Sequence, residues 1–91
     1  MMSEAIWKFE ILLDDQQNVK MPRGARILTA QMQFGKICVW AIVDPKAKMV
    51  ERYFALRGTG HPADGLDELT YVGTVQERGG ALVWHIFVEP E

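Results

Sequence analysis

Ile37-Cys38-Val39-Trp40-Ala41-Ile42-Val43 is an unbroken apolar run that stops at Asp44-Pro45. A strand with one face in water alternates apolar and polar side chains, whereas this run is apolar on both faces and partly β-branched. It reads as a central strand, ended by a strong turn pair. Ile37, Val39, Ala41 and Val43 share one face, and Cys38, Trp40 and Ile42 share the other. A single sheet would leave one of these sets uncovered, so either two sheets stack or a second subunit closes the exposed face. Cys38, Trp40 and Ile42 are therefore the candidate interface of a homo-oligomer.

The same period of two extends outward from this run. Upstream, Phe34-Gly35-Lys36 is a turn, and Ala25 to Gln33 is a strand with Leu28, Ala30 and Met32 facing Thr29, Gln31 and Gln33 across it. The first strand, Ile6 to Leu13, places Trp7, Phe9, Ile11 and Leu13 on one face and Lys8 and Glu10 on the other. Asp14-Asp15-Gln16-Gln17 is a polar turn cluster, and Asn18 to Met21 alternates until Pro22, so strands one and two are expected to form a hairpin. Downstream, strands are expected over Met49 to Arg57, Leu69 to Gln76 and Ala81 to Val88, with Glu77-Arg78-Gly79-Gly80 as a hairpin loop between the last two. The one place for a helical turn is Ala63 to Glu68. Seven short strands joined mostly by tight turns predict a single all-β domain over 1–91, an antiparallel sandwich or small barrel.

Composition fits that class. With 91 residues, 48% hydrophobic and 24% charged, the chain makes one ordinary domain. A chain this short buries only about 60 to 65% of its unfolded surface, which favours help from a second copy or a ligand. Ten Lys and Arg against twelve Asp and Glu give a net charge of −2, so no broad cationic field exists for general nucleic-acid binding. The single cysteine, Cys38, cannot form an intramolecular disulfide and sits in an apolar run, as expected of a protein in a reducing cytoplasm. The start lacks a basic stretch followed by an apolar one, and no segment approaches the roughly 18 apolar residues of a membrane span. A cytoplasmic protein is the expectation.

Chemistry concentrates in Arg57-Gly58-Thr59-Gly60-His61-Pro62. Two glycines flanking a threonine can bring backbone N–H groups and a hydroxyl onto an anion, with Arg57 and His61 adding charge or donors. Equally, Gly58 and Gly60 can serve only to permit left-handed turns, with Pro62 fixing the exit of a long connection. The loop has neither the spacing nor the following helix of a P-loop or dinucleotide fingerprint. If it takes a nucleotide-like anion, Tyr53 or Trp40 is available to stack on the base. The two histidines, His61 and His85, have no metal-ligand spacing, so no metal or cofactor is expected. His85 alternates with Trp84 and Ile86 and reads as a residue facing away from the core, or as a satisfied interior imidazole. No serine follows Ser3, which excludes a serine-histidine-acid hydrolase, and Glu51, Asp64, Asp67 and Glu68 read as solvated surface charges.

A set of segments carries a resemblance: Trp-Lys-Phe-Glu from Trp7, Met-Pro-Arg-Gly-Ala-Arg-Ile-Leu from Met21, Ile37 to Pro45, Arg57 to Pro62, Tyr-Val-Gly-Thr-Val from Tyr71, and Leu-Val-Trp-His-Ile-Phe from Leu82. Together, from about Ile6 to Phe87, they resemble a family of small uncharacterised proteins of tailed bacteriophages and prophages, most specifically over Gly58 to Pro62. The resemblance implies a phage setting, hence host takeover or counter-defence, and supplies no catalytic residue. The expected function is non-catalytic binding of a host protein or of a small anionic, nucleotide-like ligand. Two alternatives stand beside it: a structural or assembly protein of a phage particle, and a small phosphoester-acting enzyme using His61 with a nearby carboxylate.

Overall fold

A computed structural model describes residues 3–90. Among these, seven strands follow one another: β1 (Ala5–Ile11), β2 (Gln16–Pro22), β3 (Arg26–Gln33), β4 (Lys36–Val43), β5 (Met49–Gly58), β6 (Thr70–Glu77) and β7 (Leu82–Val88). They form a three-stranded sheet in the order β1-β4-β3 and a four-stranded sheet in the order β2-β5-β7-β6, every pair antiparallel. The all-β, sandwich-like expectation holds. No helix among the described residues is long and apolar enough to cross a membrane.

The central run of β4 explains the layering. Val39, Ala41 and Val43 are at most 1% exposed and meet Phe54 and Leu56 of β5 and Ile86 of β7 in one core. Two sheets therefore stack, and the inward set of β4 is covered by the chain itself. Outside, Trp40 and Ile42 stay half-buried on the solvent face of the three-stranded sheet. Cys38, on that same face, is only 3% exposed. Lys8 of β1 sits opposite Trp40, and its Nζ donates to Gln33 Oε1 of β3 at 2.7 Å, so its aliphatic stem crosses β4 near Cys38. The thiol is sealed and offers no contact surface.

Four expectations about local structure are corrected. Strands β1 and β2 do not form a hairpin: β1 pairs with β4 and β2 with β5, and the polar loop between them carries the chain from one sheet to the other. Gln17 closes that crossing through its side-chain amide, which accepts from the Leu12 N–H and donates to the Leu12 carbonyl, both at 2.8 Å. Leu13 accordingly lies in the loop, 61% exposed, rather than beside Trp7 and Phe9. In β3 the register slips between Ile27 and Thr29, so Ile27 joins Ala30 and Met32 against the core while Leu28 is 43% exposed. Ala63 to Glu68 forms turns, and the 3-10 segment is Arg78–Gly80, inside the β6–β7 hairpin loop.

The β3–β4 hairpin is as expected, closed by the two-residue turn Phe34-Gly35 between the pair Gln33 and Lys36. Both turn residues have positive φ, 51° and 77°, the signature of the primed turn that matches strand twist. The sandwich is tight along one flank, where β3 and β6 run side by side and Gly73 lies against Ala30. A Cβ at position 73 would stand 3.6 Å from the Ala30 Cβ and backbone nitrogen. The opposite flank, between β1 and β2, has no such closure: Trp7 lies at its rim, 36% exposed, with its ring 6.4 Å from Phe9.

Candidate functional site: the outer face of the four-stranded sheet

Alternation in β5 and β7 sends Phe54, Leu56, Ile86 and Val88 inward, which leaves Tyr53, Ala55, Arg57, His85 and Phe87 on the outer face. Pairing then lines up two rows across the strands. Tyr71, Phe87 and Ala55 are directly opposed on β6, β7 and β5, and Thr74, His85 and Arg57 form the adjacent row. The Tyr71 and Phe87 rings meet edge to face at 5.6 Å, a favourable arrangement of their quadrupoles.

His85 is the centre of a hydrogen-bonded chain. Its Nε2 lies 2.7 Å from Thr59 Oγ1 and its Nδ1 lies 3.0 Å from Thr74 Oγ1, which in turn lies 2.6 Å from the Tyr71 hydroxyl. Each hydroxyl both donates and accepts, so the chain can reverse its direction when the imidazole changes tautomer or when a ligand enters. Of the two placements open to His85, facing away from the core or satisfied in the interior, the fold has the first, and two strands plus the glycine loop hold it.

The glycine loop is organised around its own backbone. The amides of Gly58, Thr59 and His61 are used internally: they donate to His61 Nδ1 at 3.3 Å, Val83 O at 3.1 Å and Gly58 O at 3.0 Å. The imidazole of His61 occupies the space above Gly58, where an added Cβ would come within 2.9 Å of the ring, and it meets Trp84 edge-on at 6.3 Å. Trp84 is fixed from its other end by donation from Nε1 to Glu77 Oε1 at 2.9 Å. Gly60, at φ 90°, is the position that requires glycine. Arg57 is a clamp: its Nη1 donates to Asp15 O at 2.7 Å and Leu56 O at 3.0 Å, and its Nη2 donates to Asp64 O at 2.9 Å. All three acceptors are neutral carbonyls, so the guanidinium is positioned without being neutralised by them. Together Asp15, Arg57, His61, Pro62 and Asp64 line an open cleft of about 230 Å³.

The expected site residues are thus partly gathered and partly dispersed. Arg57 and His61 share the cleft, and Thr59 turns to His85. Tyr53 lies on the same sheet face, its hydroxyl donating to Gln16 Oε1 at 3.1 Å. Trp40 is on the outer face of the other sheet and cannot stack on anything held near Tyr53. Among the described residues, no three or more His, Cys, Asp or Glu side chains come together as a metal site would require.

Tyr71, Thr74 and Phe87 were not evident as site residues in the sequence. Tyr71 and Thr74 are three apart, which in a regular strand puts them on opposite faces. The register slips between Tyr71 and Gly73, so that Val72 is the extra residue and Tyr71 and Thr74 fall on one face. Gly73 beside the slip was the available signal, since glycine inside a strand pattern marks bulges and close backbone approach.

No curated protein and no solved structure matches this sequence. A domain of unknown function, DUF7352, matches residues 2–91, essentially the whole chain. With a single all-β domain under that match, the chain belongs to the DUF7352 family.

Proposed function

We propose that the protein is a non-catalytic binding module whose ligand surface is the outer face of β5, β7 and β6. One observation carries this reading: the chain from Tyr71 through Thr74 and His85 to Thr59 sits beside the exposed Tyr71 ring, its half-buried neighbour Phe87 and a fixed guanidinium. That set suits a small planar anion of nucleotide type. A base would lie against Tyr71 and Phe87, hydroxyls and imidazole would bond its polar edge, and Arg57 would face the phosphate. The chain's resemblance to small phage and prophage proteins favours sequestration of a host signalling nucleotide, as in counter-defence, in the host cytoplasm. Calorimetry with mono-, di- and cyclic nucleotides is the test. Binding that weakens about tenfold or more in Tyr71→Ala and His85→Ala supports the reading, and no heat with any nucleotide at high protein concentration overturns it.

A second reading, binding of a host protein, has its own observation. Phe34 is 92% exposed at the tip of the β3–β4 hairpin, and Leu12 and Leu13 are 55% and 61% exposed at the same end of the sandwich. Large apolar side chains gathered at one end suit a protein contact. Pull-down from host lysate with the wild type and Phe34→Ser separates the two readings, because a protein partner is lost with Phe34 whereas a nucleotide on the sheet face is not.

A further inference from the structure

The two sheets have four edges, and three carry a device that discourages pairing with another chain. Strand β2 ends in Pro22, which has no N–H to offer. Strands β3 and β6 each contain a register slip, between Ile27 and Thr29 and between Tyr71 and Gly73, and they lie against one another. Bulges, prolines and covered edges are the usual protections of an edge strand. β1, Ala5-Ile6-Trp7-Lys8-Phe9-Glu10-Ile11, has none of these three and only the charges of Lys8 and Glu10 to guard it: it runs seven residues in unbroken register with β4 and contains no proline or glycine. It also borders the flank of the sandwich that the chain leaves open, with Ile6 62% and Trp7 36% exposed.

We infer that β1 pairs antiparallel with β1 of a second copy about a two-fold axis at Phe9, joining two three-stranded sheets into one of six strands. The residues of β1 select this register. Directly opposed residues share a face, so only registers that pair odd positions with odd and even with even keep Trp7, Phe9 and Ile11 on the core side. An axis at Lys8 opposes two lysines and sets Ile6 against Glu10. An axis at Glu10 opposes two glutamates, and an axis at Trp7 sets Ile6 against Lys8. With the axis at Phe9, Lys8 of each copy faces Glu10 of the other, Trp7 faces Ile11, and Ile6 faces Leu12. Charges meet opposite charges and apolar side chains meet apolar ones at every position.

The existing contacts of the two charged residues are compatible with this pairing. Lys8 donates to Gln33 Oε1 at 2.7 Å, which uses one of three ammonium hydrogens, and Glu10 contacts Lys36 at 3.6 Å through one of its two oxygens. Both contacts lie in solvent, and Lys8, whose ammonium reaches over β4 to β3, exchanges Gln33 for Glu10 of the second copy when the pair forms. The outer face of sheet β1-β4-β3 then continues across the axis, so Ile6 meets Leu12 of the second copy beside the half-buried Ile42.

The test is the oligomeric state by light scattering after gel filtration, over a concentration series, with folding checked by circular dichroism. Wild type is expected to be a dimer. Lys8→Glu places glutamates at both opposed positions and Glu10→Lys places lysines there, so each variant alone is expected to be monomeric while folded. Mixed in equal amounts, the two variants regain complementary charges and are expected to form a heterodimer, and the double variant K8E/E10K to form a homodimer. A monomeric wild type overturns the inference, as does a dimer that both single variants leave intact. Should both single variants lose their folded spectrum, K8E/E10K decides: folded and dimeric supports the register, folded and monomeric overturns it.

Discussion

Phe34 shows how much conformational cost one residue can hold at the surface. A bulky aromatic at φ 51° crowds its Cβ against the following carbonyl, at a cost of roughly 1–2 kcal/mol, and with 92% of its surface in water it recovers almost none of this through burial. Asparagine tolerates the same backbone geometry and is the preferred neighbour of glycine in this turn. Phe34→Asn is therefore expected to stabilise the fold by about 1 kcal/mol, seen as a rise in Tm of about 4–8 °C in a thermal melt. A lower Tm would show that the aromatic ring contributes more to the folded state than its exposure suggests. At the same scale, Arg57 was legible as a charged loop residue but its hydrogen bonds were not: the fold gives three of its donors to carbonyls of Asp15, Leu56 and Asp64. An arginine's hydrogen bonds to backbone oxygens depend on loops distant in sequence, and no local pattern encodes them.

At the scale of the strand, what could be read and what could not divide cleanly by mechanism. β4 was legible because it is apolar on both faces, and β5 and β7 because apolar residues run through them and they pair with one another without a register slip. β3 and β6 were legible as strands but not in their facing, because each contains one unpaired residue that inverts the alternation beyond it. The β1–β2 hairpin was misread because a short polar cluster looks the same whether it turns a chain back beside itself or passes it to the opposite sheet. Gln17, which closes that passage on Leu12, is chemically an ordinary turn residue. The β3–β6 seam supplies a test of the bulge account. Gly73→Ala adds a Cβ at ordinary contact distance, 3.6 Å from Ala30, whereas Gly73→Leu drives a branched chain into the same gap. Urea unfolding is expected to show little change for alanine and a loss of about 1–3 kcal/mol for leucine. Equal midpoints for the two variants would mean that β6 does not lie against β3 as described.

Across the whole molecule, the two sheets divide their duties by what each leaves on its outer face. The three-stranded sheet carries Trp40, a sealed Cys38 and the edge strand β1, the surface proposed for pairing. The four-stranded sheet carries the hydrogen-bonded chain around His85, the Tyr71 and Phe87 rings and the Arg57 clamp, the surface proposed for recognition. Of this second surface the sequence revealed the glycine loop but not its partners, because Thr59 and His85 lie 26 residues apart and meet only through the pairing of β5 with β7. The most direct measurement is a two-dimensional NMR titration of labelled protein with a panel of nucleoside mono-, di- and cyclic phosphates. Shifts concentrated at Thr59, Tyr71, Thr74, His85 and Phe87, with the nucleotide recovered chemically unchanged, are the predicted result. A spectrum that stays fixed throughout the panel, or a nucleotide converted to product at a rate that depends on His61, would contradict the account.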